Sequence, residues 1–345
     1  MFVNKNLSFR GLMNFTGGHL IWITTWVSIA TALYVEFAMD LFVIPVLPLS
    51  LVGTAVAFYI GFKNNQAYDR LWEARKIWGA IVNSSRAWAS AVRGFVGQQA
   101  ALTGFAPESA HDIHRRLIFR HIAWLYSLRS QLLIPTAWEH INQNRMVARV
   151  ARDRIKKFGV GLLDDDITEK ALKEFLPAAE HDRLINYKNT ATQIIDQQAQ
   201  DLAELRRQNL IDDFRHMELQ KILYDFYVHQ GKCERIKKFP LPRQYGGMSF
   251  IFVAIFIFLV PFGIAAQFGE ATAWSPYLSI PFSIIVSWVY LVMELVGDYS
   301  ENPFEGMGND IPMYSLCRVI EIDLKEMLTE QEIPGPVEAV RGVLM

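Results

Sequence analysis

The sequence predicts an all-α membrane protein, with four transmembrane helices in two hairpins and a large helical cytoplasmic domain. Three observations carry this prediction. The 345-residue chain is 51% hydrophobic and 20% charged, which is typical of a membrane protein that carries a large polar part. Its Lys and Arg residues leave two long gaps, at residues 11–62 and 244–317. Each gap contains two apolar segments that are long enough to cross a bilayer.

The first gap predicts the first hairpin. One apolar helix is expected near residues 19–39, and a second over residues 42–62, which carry no charge. At 1.5 Å per residue, a helix of about 21 residues spans the ~30 Å hydrocarbon core of a bilayer. The second segment also contains five residues that narrow a helix or let backbones and water approach it: Pro45, Pro48, Ser50, Gly53 and Thr54. This helix is therefore predicted to do more than anchor the chain.

The second gap predicts the second hairpin, near residues 249–268 and 277–296. Around the tips of the two hairpins, the only charged residues are the acidic Glu36, Asp40 and Glu270. By the positive-inside rule, both tips lie outside, and both termini lie in the cytoplasm with the middle of the chain.

The reducing side of the membrane is the expected location of both cysteines, Cys233 and Cys317, so no disulfide is expected. We also expect no cleaved signal peptide, because no apolar core precedes residue 19.

The charge pattern divides the chain into five predicted parts. They are a cytoplasmic N-terminal segment (1–18), the first hairpin (19–62), a cytoplasmic helical domain (63–243), the second hairpin (244–297) and a cytoplasmic C-terminal segment (298–345). The middle part has ~180 residues, which is a usual size for an independent domain.

The middle domain is predicted to consist of helices. Charged and apolar residues alternate over residues 69–93, which predicts an amphipathic helix that continues from the second membrane helix. A second amphipathic helix is expected over residues 116–133. The sequence DITE at residues 166–169 has the form of a capping box that opens a short helix. Longer polar helices are expected over residues 180–207 and 212–229.

The chain contains no pattern that predicts an enzyme or a metal centre. His111 and His114 lie three residues apart but lack a third ligand at helical spacing. Asp164, Asp165 and Asp166 lack the alternation and the closing Glu of a calcium loop, and helix capping explains them better. The sequence has no glycine-rich phosphate loop, no GxSxG and no Cys/His dyad. We therefore expect no cofactor and no metal, and the net charge of -1 gives no reason to expect a nucleic-acid partner.

Several motifs occur together with the four apolar segments. They are LPLSL at 47–51, FKNNQAYDRLWEARKIWG at 62–79, CERI and PLPRQY within 233–245, and DYSENPFEGMGNDIPMYSLCRVIEIDL at 298–324. In content and order they resemble the bestrophin family of ion channels, particularly its bacterial members. The resemblance implies structural roles for ten motif residues: Asn64, Tyr68, Arg70, Glu73, Arg75, Trp78, Gly79, Asn302, Pro303 and Phe304.

The family resemblance implies a homopentamer in a bacterial inner membrane. Five copies of the second membrane helix would line a central pore with a narrow hydrophobic neck, and cytoplasmic helices would extend it to a second constriction. A ring also follows from geometry, because a single helix encloses nothing. The resemblance implies conduction of small monovalent ions, with chloride as the family's usual ion and sodium as the ion of some bacterial members. The partners would be further copies of the chain, these ions and membrane lipid.

The resemblance places the neck at Leu47, Leu51 and Ala55, which are four residues apart and therefore share a helix face. Tyr59 continues this row. By the same alignment, Met217 would form the cytoplasmic aperture, where a ring of Met side chains would be apolar and flexible. The alternative is that these residues make ordinary packing contacts between membrane helices.

Three acidic residues near the end of the fourth membrane helix, Glu294, Asp298 and Glu301, could form a cation-attracting ring. Alternatively, Glu294 and Asp298 could pair with Arg70 or Arg75 of the helix that follows the second membrane segment. Pairing is favoured, because Glu294 and Asp298 are one helical turn apart.

A calcium clasp is not expected. The calcium-gated animal members of the family carry a run of acids just after NPF, whereas here only Glu305 and Asp310 remain. Currents should therefore be indifferent to calcium.

Two other classes of protein stay open at this point. A secondary transporter would ordinarily show internal repeats with broken helices at corresponding places, which the two hairpins lack beyond scattered prolines. A membrane-anchored signalling or scaffold protein would use the cytoplasmic helices as a docking surface. Single-channel steps from the purified protein would distinguish a channel from both.

Overall fold

The computed structural model describes residues 1–4, 6, 9–36, 44–97, 107–268 and 274–345. Its α-helices are α1 (Phe9–Glu36), α2 (Val46–Phe95), α3 (Pro107–Leu133), α4 (Arg145–Phe158), α5 (Ile167–Phe175), α6 (Ala178–Leu184), α7 (Thr190–Arg207), α8 (Asp213–Lys238), α9 (Arg243–Ala265), α10 (Ser279–Asp298) and α11 (Met313–Met327). Short 3₁₀ helices span His140–Asn142, Val160–Leu162, Ala266–Phe268 and Ser275–Leu278. Within the described ranges, the β-structure is limited to isolated bridges of Val343 with Phe2 and with Val340. The prediction of an all-α chain is confirmed.

The chain divides into two compact units. The apolar unit comprises Asn4–Arg70 and Pro240–Glu301, and the polar unit comprises Met1–Val3, Leu71–Phe239 and Asn302–Met345.

The apolar unit contains helices that are long and apolar enough to cross a membrane. The described residues include four such candidates, at Gly11–Glu36, Val46–Phe95, Asp213–Phe268 and Ser275–Asp298, as the charge gaps predicted. The inward faces of these helices meet in a core that includes Ile23, Val27, Val56, Ile60, Val253, Val260 and Leu291. Large apolar side chains such as Phe250, Phe258 and Ile285 project from the outer faces with more than half of their surface exposed. Soluble monomers rarely leave so much apolar surface uncovered, whereas lipid covers it in a membrane.

The helix bounds differ from the predicted ones at several ends. α1 begins at Phe9, ten residues before the predicted segment at 19–39, because hydropathy marks only the apolar part of a longer helix. The end of that segment and the start of the segment at 42–62 fall outside the described residues, as do Asp40 and Glu270.

α2 is one continuous helix of 50 residues, as the sequence predicted. Pro48 does not break it, since Pro48 lies in the first turn, where a backbone N–H has no partner within the helix. The helix is apolar up to Phe62 and carries charged residues from Lys63 onward.

The polar unit is built around α3. Every residue from 117 to 129 is buried, so the prediction of an amphipathic helix over 116–133 is wrong for its central part. Two of the buried polar side chains of α3 have acidic partners on other helices. The Arg120 guanidinium donates to Glu180 at 2.6 and 2.8 Å and to Asp201 at 2.8 Å, and the Tyr126 hydroxyl donates to Glu321 at 2.5 Å. A sequence pattern shows that these residues are polar but does not show that their partners come from distant helices.

Two other predictions about the polar unit need correction. α5 begins at Ile167 as the DITE motif predicted, but the Asp166 side chain accepts no capping hydrogen bond and instead pairs with Lys170 at 2.9 Å. The predicted helix at 180–207 is interrupted between α6 and α7, because the Asn189 side chain caps α7 by accepting the N–H of Thr192 at 2.9 Å.

His121 lies inside the aromatic core of the polar unit. Its ring centroid is 4.3 Å from that of Phe226 and 5.2 Å from that of Trp124, and its Nε2 lies 2.8 Å from the Ser85 hydroxyl. Burial lowers the pKa of His121 to about 3, because an imidazolium would lose its hydration there.

This lowered pKa predicts acid sensitivity of the fold. As the pH falls below about 6.5, unfolded His121 binds a proton that folded His121 does not, so the free energy of unfolding falls by up to ~1.4 kcal/mol per pH unit. We expect His121→Phe to unfold with a flatter pH dependence than the native protein between about pH 6.5 and about pH 5, measured as the thermal midpoint in detergent. The matched control is His111→Phe, at an exposed position. Equal slopes for the native protein and His121→Phe would contradict this assignment.

Candidate pore-lining face

One face of α2 in the apolar unit is exposed and apolar. Leu47 and Leu51 have 73% and 65% of their surface exposed, and Ala55 is exposed as well. The opposite face packs inward through residues that include Leu49, Val56 and Ile60.

Gly53 lies on the packed face and permits close approach of α9 and α10. A Cβ at this position would lie 2.9 Å from the Phe256 ring and 3.2 Å from the Tyr290 hydroxyl. The Tyr290 hydroxyl donates to the Gly53 carbonyl at 3.0 Å. The small residue noted in the sequence therefore serves packing within the apolar unit.

The exposed row continues through Phe58 and Phe62, each 66% exposed. Tyr59 lies off the row. It is half-buried, its hydroxyl donates to the Gln244 carbonyl at 2.9 Å, and its ring lies 5.3 Å from the Phe252 ring. The reason is geometric, since steps of four residues drift by about 40° each on a helix of 3.6 residues per turn. Three steps from Leu47 therefore bring Tyr59 round to the side of the helix.

The hydroxyl groups beside the row are bonded to their own helix. Ser50 donates to the Leu47 carbonyl at 2.8 Å and Thr54 donates to the Ser50 carbonyl at 2.9 Å. Such back-bonding occupies the hydroxyl protons within the helix. The row is therefore apolar in character from Leu47 to Phe62.

A buried ion pair lies at the end of the row. Lys63 pairs with Glu294 of α10, and both side chains are almost fully buried. The Ser249 hydroxyl donates to the same Glu294 oxygen at 2.8 Å, and the Lys63 ammonium is 3.8 Å from the Asp298 carboxylate. The preference for structural pairing of Glu294 is thus correct, but the expected partner was wrong. No local pattern links Lys63 to Glu294, because the two residues lie 231 positions apart in the sequence.

The other expected partners have different contacts. Arg70 donates to the backbone carbonyl of Glu301 at 2.9 Å. The Glu301 carboxylate accepts the N–H of Leu241 at 2.8 Å and lies 3.8 Å from the Arg243 guanidinium. Glu301 therefore ties the start of α9 to the chain that follows α10.

The family-motif residues at 64–79 take up several positions. Asn64 donates to the Met293 carbonyl at 3.1 Å. Its other amide atom, Oδ1, would lie 2.0 Å from a Cβ at position 297, so Gly297 makes room for it. In the polar unit, Glu73 pairs with Arg235 at 2.6 Å and Trp78 is fully buried. Tyr68 and Gly79 are exposed, as is Arg75, whose guanidinium lies 3.8 Å from the Met1 sulfur.

The NPF motif closes a tight loop in the polar unit. The Asn302 side chain accepts the N–H of Phe304 at 3.1 Å, and the Pro303 carbonyl accepts the N–H of Ile311 at 3.2 Å. Phe304 is fully buried, and its carbonyl accepts a hydrogen bond from Lys237 at 3.1 Å. These residues shape the loop through local hydrogen bonds and one buried ring.

The two acids after NPF are bonded to protein donors. Glu305 accepts the backbone N–H of His140 at 2.7 Å and lies 2.9 Å from its imidazole. One oxygen of Asp310 accepts the N–H groups of Gly306 and Met307 at 2.7 and 2.9 Å. Burial raises the pKa of Asp310 to about 7, since an ionised carboxylate is poorly solvated there.

Other residues weighed in the sequence have plain contacts. His114 Nε2 lies 2.9 Å from the Val96 carbonyl, and Lys170 lies 3.9 Å from Asp164 as well as close to Asp166. Met217, proposed for the second constriction, is 57% exposed on α8. Cys233 and Cys317 are free and buried.

These features define a class of protein, namely an all-helical membrane protein in which one long helix carries an exposed apolar row. The sequence matches the family described as Bacterial/Fungal Bestrophin protein over residues 19–326. The chain belongs to this family, so the resemblance found in the motifs is confirmed.

Named relatives agree with this assignment. The chain is 26% identical over 336 residues to the voltage-dependent anion channel-forming protein YneE of Escherichia coli (strain K12), a match that covers 97% of this chain and 91% of that protein. It is 27% identical over 294 residues to the voltage-dependent anion channel-forming protein mll4386 of Mesorhizobium japonicum, covering 85% of this chain and 79% of that protein. These relatives are named for channel formation and not for an enzymatic activity.

Solved structures show the same fold. A bacterial bestrophin homologue from Klebsiella pneumoniae aligns with a TM-score of 0.70 at 21% identity, covering 93% of this chain and 99% of the other.

The buried pair predicts a specific stability result. Removing one partner leaves a buried charge uncompensated, which costs ~3–5 kcal/mol, whereas replacing both with apolar residues of similar size costs far less. We expect Lys63→Met to lower the thermal midpoint in detergent strongly, and Lys63→Met combined with Glu294→Met to recover most of the loss. Lys173→Met, which breaks the exposed pair with Glu169, should leave the midpoint unchanged. Equal losses in the single and double variants would show that the charges do not interact.

Proposed function

We propose that the chain forms a channel for small monovalent anions as a ring of five copies in a bacterial inner membrane. The observation that carries the proposal is the apolar row on α2, which is exposed although it belongs to a helix that is packed on its other side. A rotational axis would turn five such rows into one closed aperture. The names of the curated relatives support anions as the conducted ions.

The topology of the proposal follows the charge pattern. The four apolar helices form two hairpins with their tips outside, and both termini and the polar unit lie in the cytoplasm. The polar unit would extend the pore below the membrane, with Met217 at a second constriction.

The row would act as the neck of the pore. We place Leu47, Leu51 and Ala55 in it, continued by Phe58 and Phe62, since Tyr59 is held within the apolar unit by its contacts with α9. Side chains of this kind cannot coordinate an ion. Passage therefore requires the ring to widen and fill with water, or the ion to shed part of its hydration at a cost of several kcal/mol. Ala55 would leave the widest part of the row near its middle.

Two measurements test the core of the proposal. Purified protein in planar bilayers should show single-channel steps, which neither a secondary transporter nor a scaffold protein would give. Chemical cross-linking in detergent should give a ladder that ends at five copies. Reversal potentials in asymmetric NaCl, compared with a salt of an impermeant anion, should follow chloride, and reversal potentials that follow sodium would reverse the assigned selectivity.

The neck assignment predicts which substitutions change the current. Leu51→Ala widens the proposed ring and should raise the unitary conductance or the open probability. Leu51→Cys should react with a water-soluble thiol reagent, and the reaction should change the current. The two native cysteines are fully buried, so they give little background reaction.

Matched controls for the neck lie on the other membrane helices. Phe258 and Ile285 are 52% and 57% exposed on α9 and α10, which makes them similar to Leu51 in exposure. Cysteine at either position should react with a lipid-soluble maleimide and should not change the current when the water-soluble reagent is added. If Leu51→Cys behaves like these controls, Leu51 faces lipid and the neck lies elsewhere.

The second constriction predicts a separate effect. Met217→Ala should alter the permeability ratio between anions of different size more than it alters the conductance, because the aperture loses bulk without gaining charge. Bi-ionic reversal potentials measure this ratio. Met146→Ala, at another exposed methionine of the polar unit, is the matched control and should leave the ratio as it is. An unchanged ratio in Met217→Ala would remove Met217 from the aperture.

A further inference from the structure

Helix α4 carries an unusual concentration of positive charge. Its 14 residues include a single acid, Asp153, and six basic residues: Arg145, Arg149, Arg152, Arg154, Lys156 and Lys157. The helix packs inward through Ala148 and Ala151. Its outer side shows Met146, which is 79% exposed, and Val150, which is 39% exposed. Apolar side chains flanked by cations are typical of helices that lie on an anionic membrane surface.

Four basic residues of α4 have no acidic partner among the described residues. Some exposed basic side chains elsewhere in this unit do form ion pairs, for example Lys170 with Asp166, Lys173 with Glu169 and Arg206 with Asp213. Within the described ranges, Arg145, Arg149, Lys156 and Lys157 make no ion pair with the rest of the chain, and Arg152 donates to the Ala148 carbonyl of its own helix at 3.2 Å. Like charges at this density repel one another, so an external anionic surface would stabilise the helix.

On each side of α4, the chain is bonded to a residue that lies a few positions in sequence from a membrane helix. Before its N-terminus, Glu139 pairs with Lys237 at 2.5 Å, with both side chains buried. Lys237 is six residues (243 − 237) before the start of α9. A fully extended chain of this length covers about 22 Å.

A second connection lies beyond the C-terminus of α4. The N–H of Val160 donates to the Gly306 carbonyl at 2.9 Å, and Gly306 is eight residues (306 − 298) after the end of α10. Eight extended residues cover about 29 Å. Both limits are set by the covalent chain itself.

We propose that α4 docks on the anionic phospholipid headgroups of the leaflet beside the polar unit. The proposal relies on the topology given under Proposed function, which makes that leaflet the cytoplasmic one, where the surface potential is negative. The basic side chains of this helix that would bind headgroup phosphates are Arg145, Arg149, Lys156 and Lys157. Met146 and Val150 would reach the boundary between headgroups and acyl chains. The attraction acts within a Debye length of about 8 Å at physiological salt, so high salt should weaken it.

The test uses the full chain in nanodiscs. Met146→Cys can be labelled with an environment-sensitive fluorophore, because the native cysteines are buried. In discs of phosphatidylcholine with one third phosphatidylglycerol, the label should emit at shorter wavelength than in discs of phosphatidylcholine alone, and high salt should reverse the shift. Replacing Arg145, Arg149, Lys156 and Lys157 by Gln should remove at least half of the shift. A control replaces Lys170, Lys173, Arg206 and Lys221 by Gln, which removes the same charge from exposed but paired residues, and should retain the shift.

Each other outcome overturns the proposal. No difference between the two kinds of disc means that α4 does not touch anionic lipid. If the emission shifts with a soluble polyphosphate but not with phosphatidylglycerol, α4 binds a free polyanion and not a lipid surface. A short-wavelength emission that is equal in both discs and lost on dilution to single copies makes α4 a contact between copies. If both charge variants lose the emission shift equally, the shift depends on the net charge of the protein and not on α4. The readout is fluorescence and not current, so it is independent of channel activity. Docking can therefore be disproved while channel activity is observed, and channel activity can be disproved while docking is observed.

Discussion

The buried pair of Lys63 and Glu294 fixes how α2 lies against α10 in the apolar unit. Two charges in an apolar environment are tolerated only when they meet each other, and the Ser249 hydroxyl adds a second donor to the Glu294 oxygen that Lys63 contacts. Sliding α2 by one turn, or rotating it about its axis, would separate the charges. Because Lys63 directly follows Phe62, the same contact determines that Leu47, Leu51 and Phe62 point away from α9 and α10. The exposure of the row is therefore a consequence of an electrostatic constraint at its end.

The continuous course of α2 gives this constraint a longer reach. In the apolar unit its packed face is held by small and branched residues such as Gly53, Val56 and Ile60, whereas in the polar unit it is held by the buried Trp78 and Trp88. A helix bends sharply where Pro, Gly pairs or inserted groups break its hydrogen bonds, and the one proline of α2, Pro48, lies in its first turn. The exposed row and the two tryptophans therefore belong to one uninterrupted helix.

Sequence patterns predicted the four apolar helices and the continuity of α2, because the absence of charge and the helical period are local properties. The motifs also identified the family. The pattern could not identify residues whose role depends on a distant partner. In the sequence, Lys63 only marks the end of an uncharged stretch, and its pairing with Glu294 is visible only in the structure. The polar residues Arg120 and His121 made α3 resemble an amphipathic helix, but both are buried against side chains of other helices. The sequence alone would have been enough to assign Phe58 and not Tyr59 to the exposed row, because helix geometry fixes the drift of a four-residue repeat.

The loop after the NPF motif shows how this chain stabilises a segment with few acids. Gly306 adopts φ of 86°, a conformation that a side chain would strain, and a Cβ there would also meet Val160 at 2.8 Å. Two side chains also stabilise the loop. Asp310 accepts the N–H groups of Gly306 and Met307, and Glu305 accepts the N–H of His140. The carbonyl of Gly306 is also the acceptor for the N–H of Val160, so this loop is bonded directly to the segment that follows α4. A lipid surface that holds α4 would therefore act on the segment that follows the last membrane helix, which also carries Glu301 and its link to the start of α9.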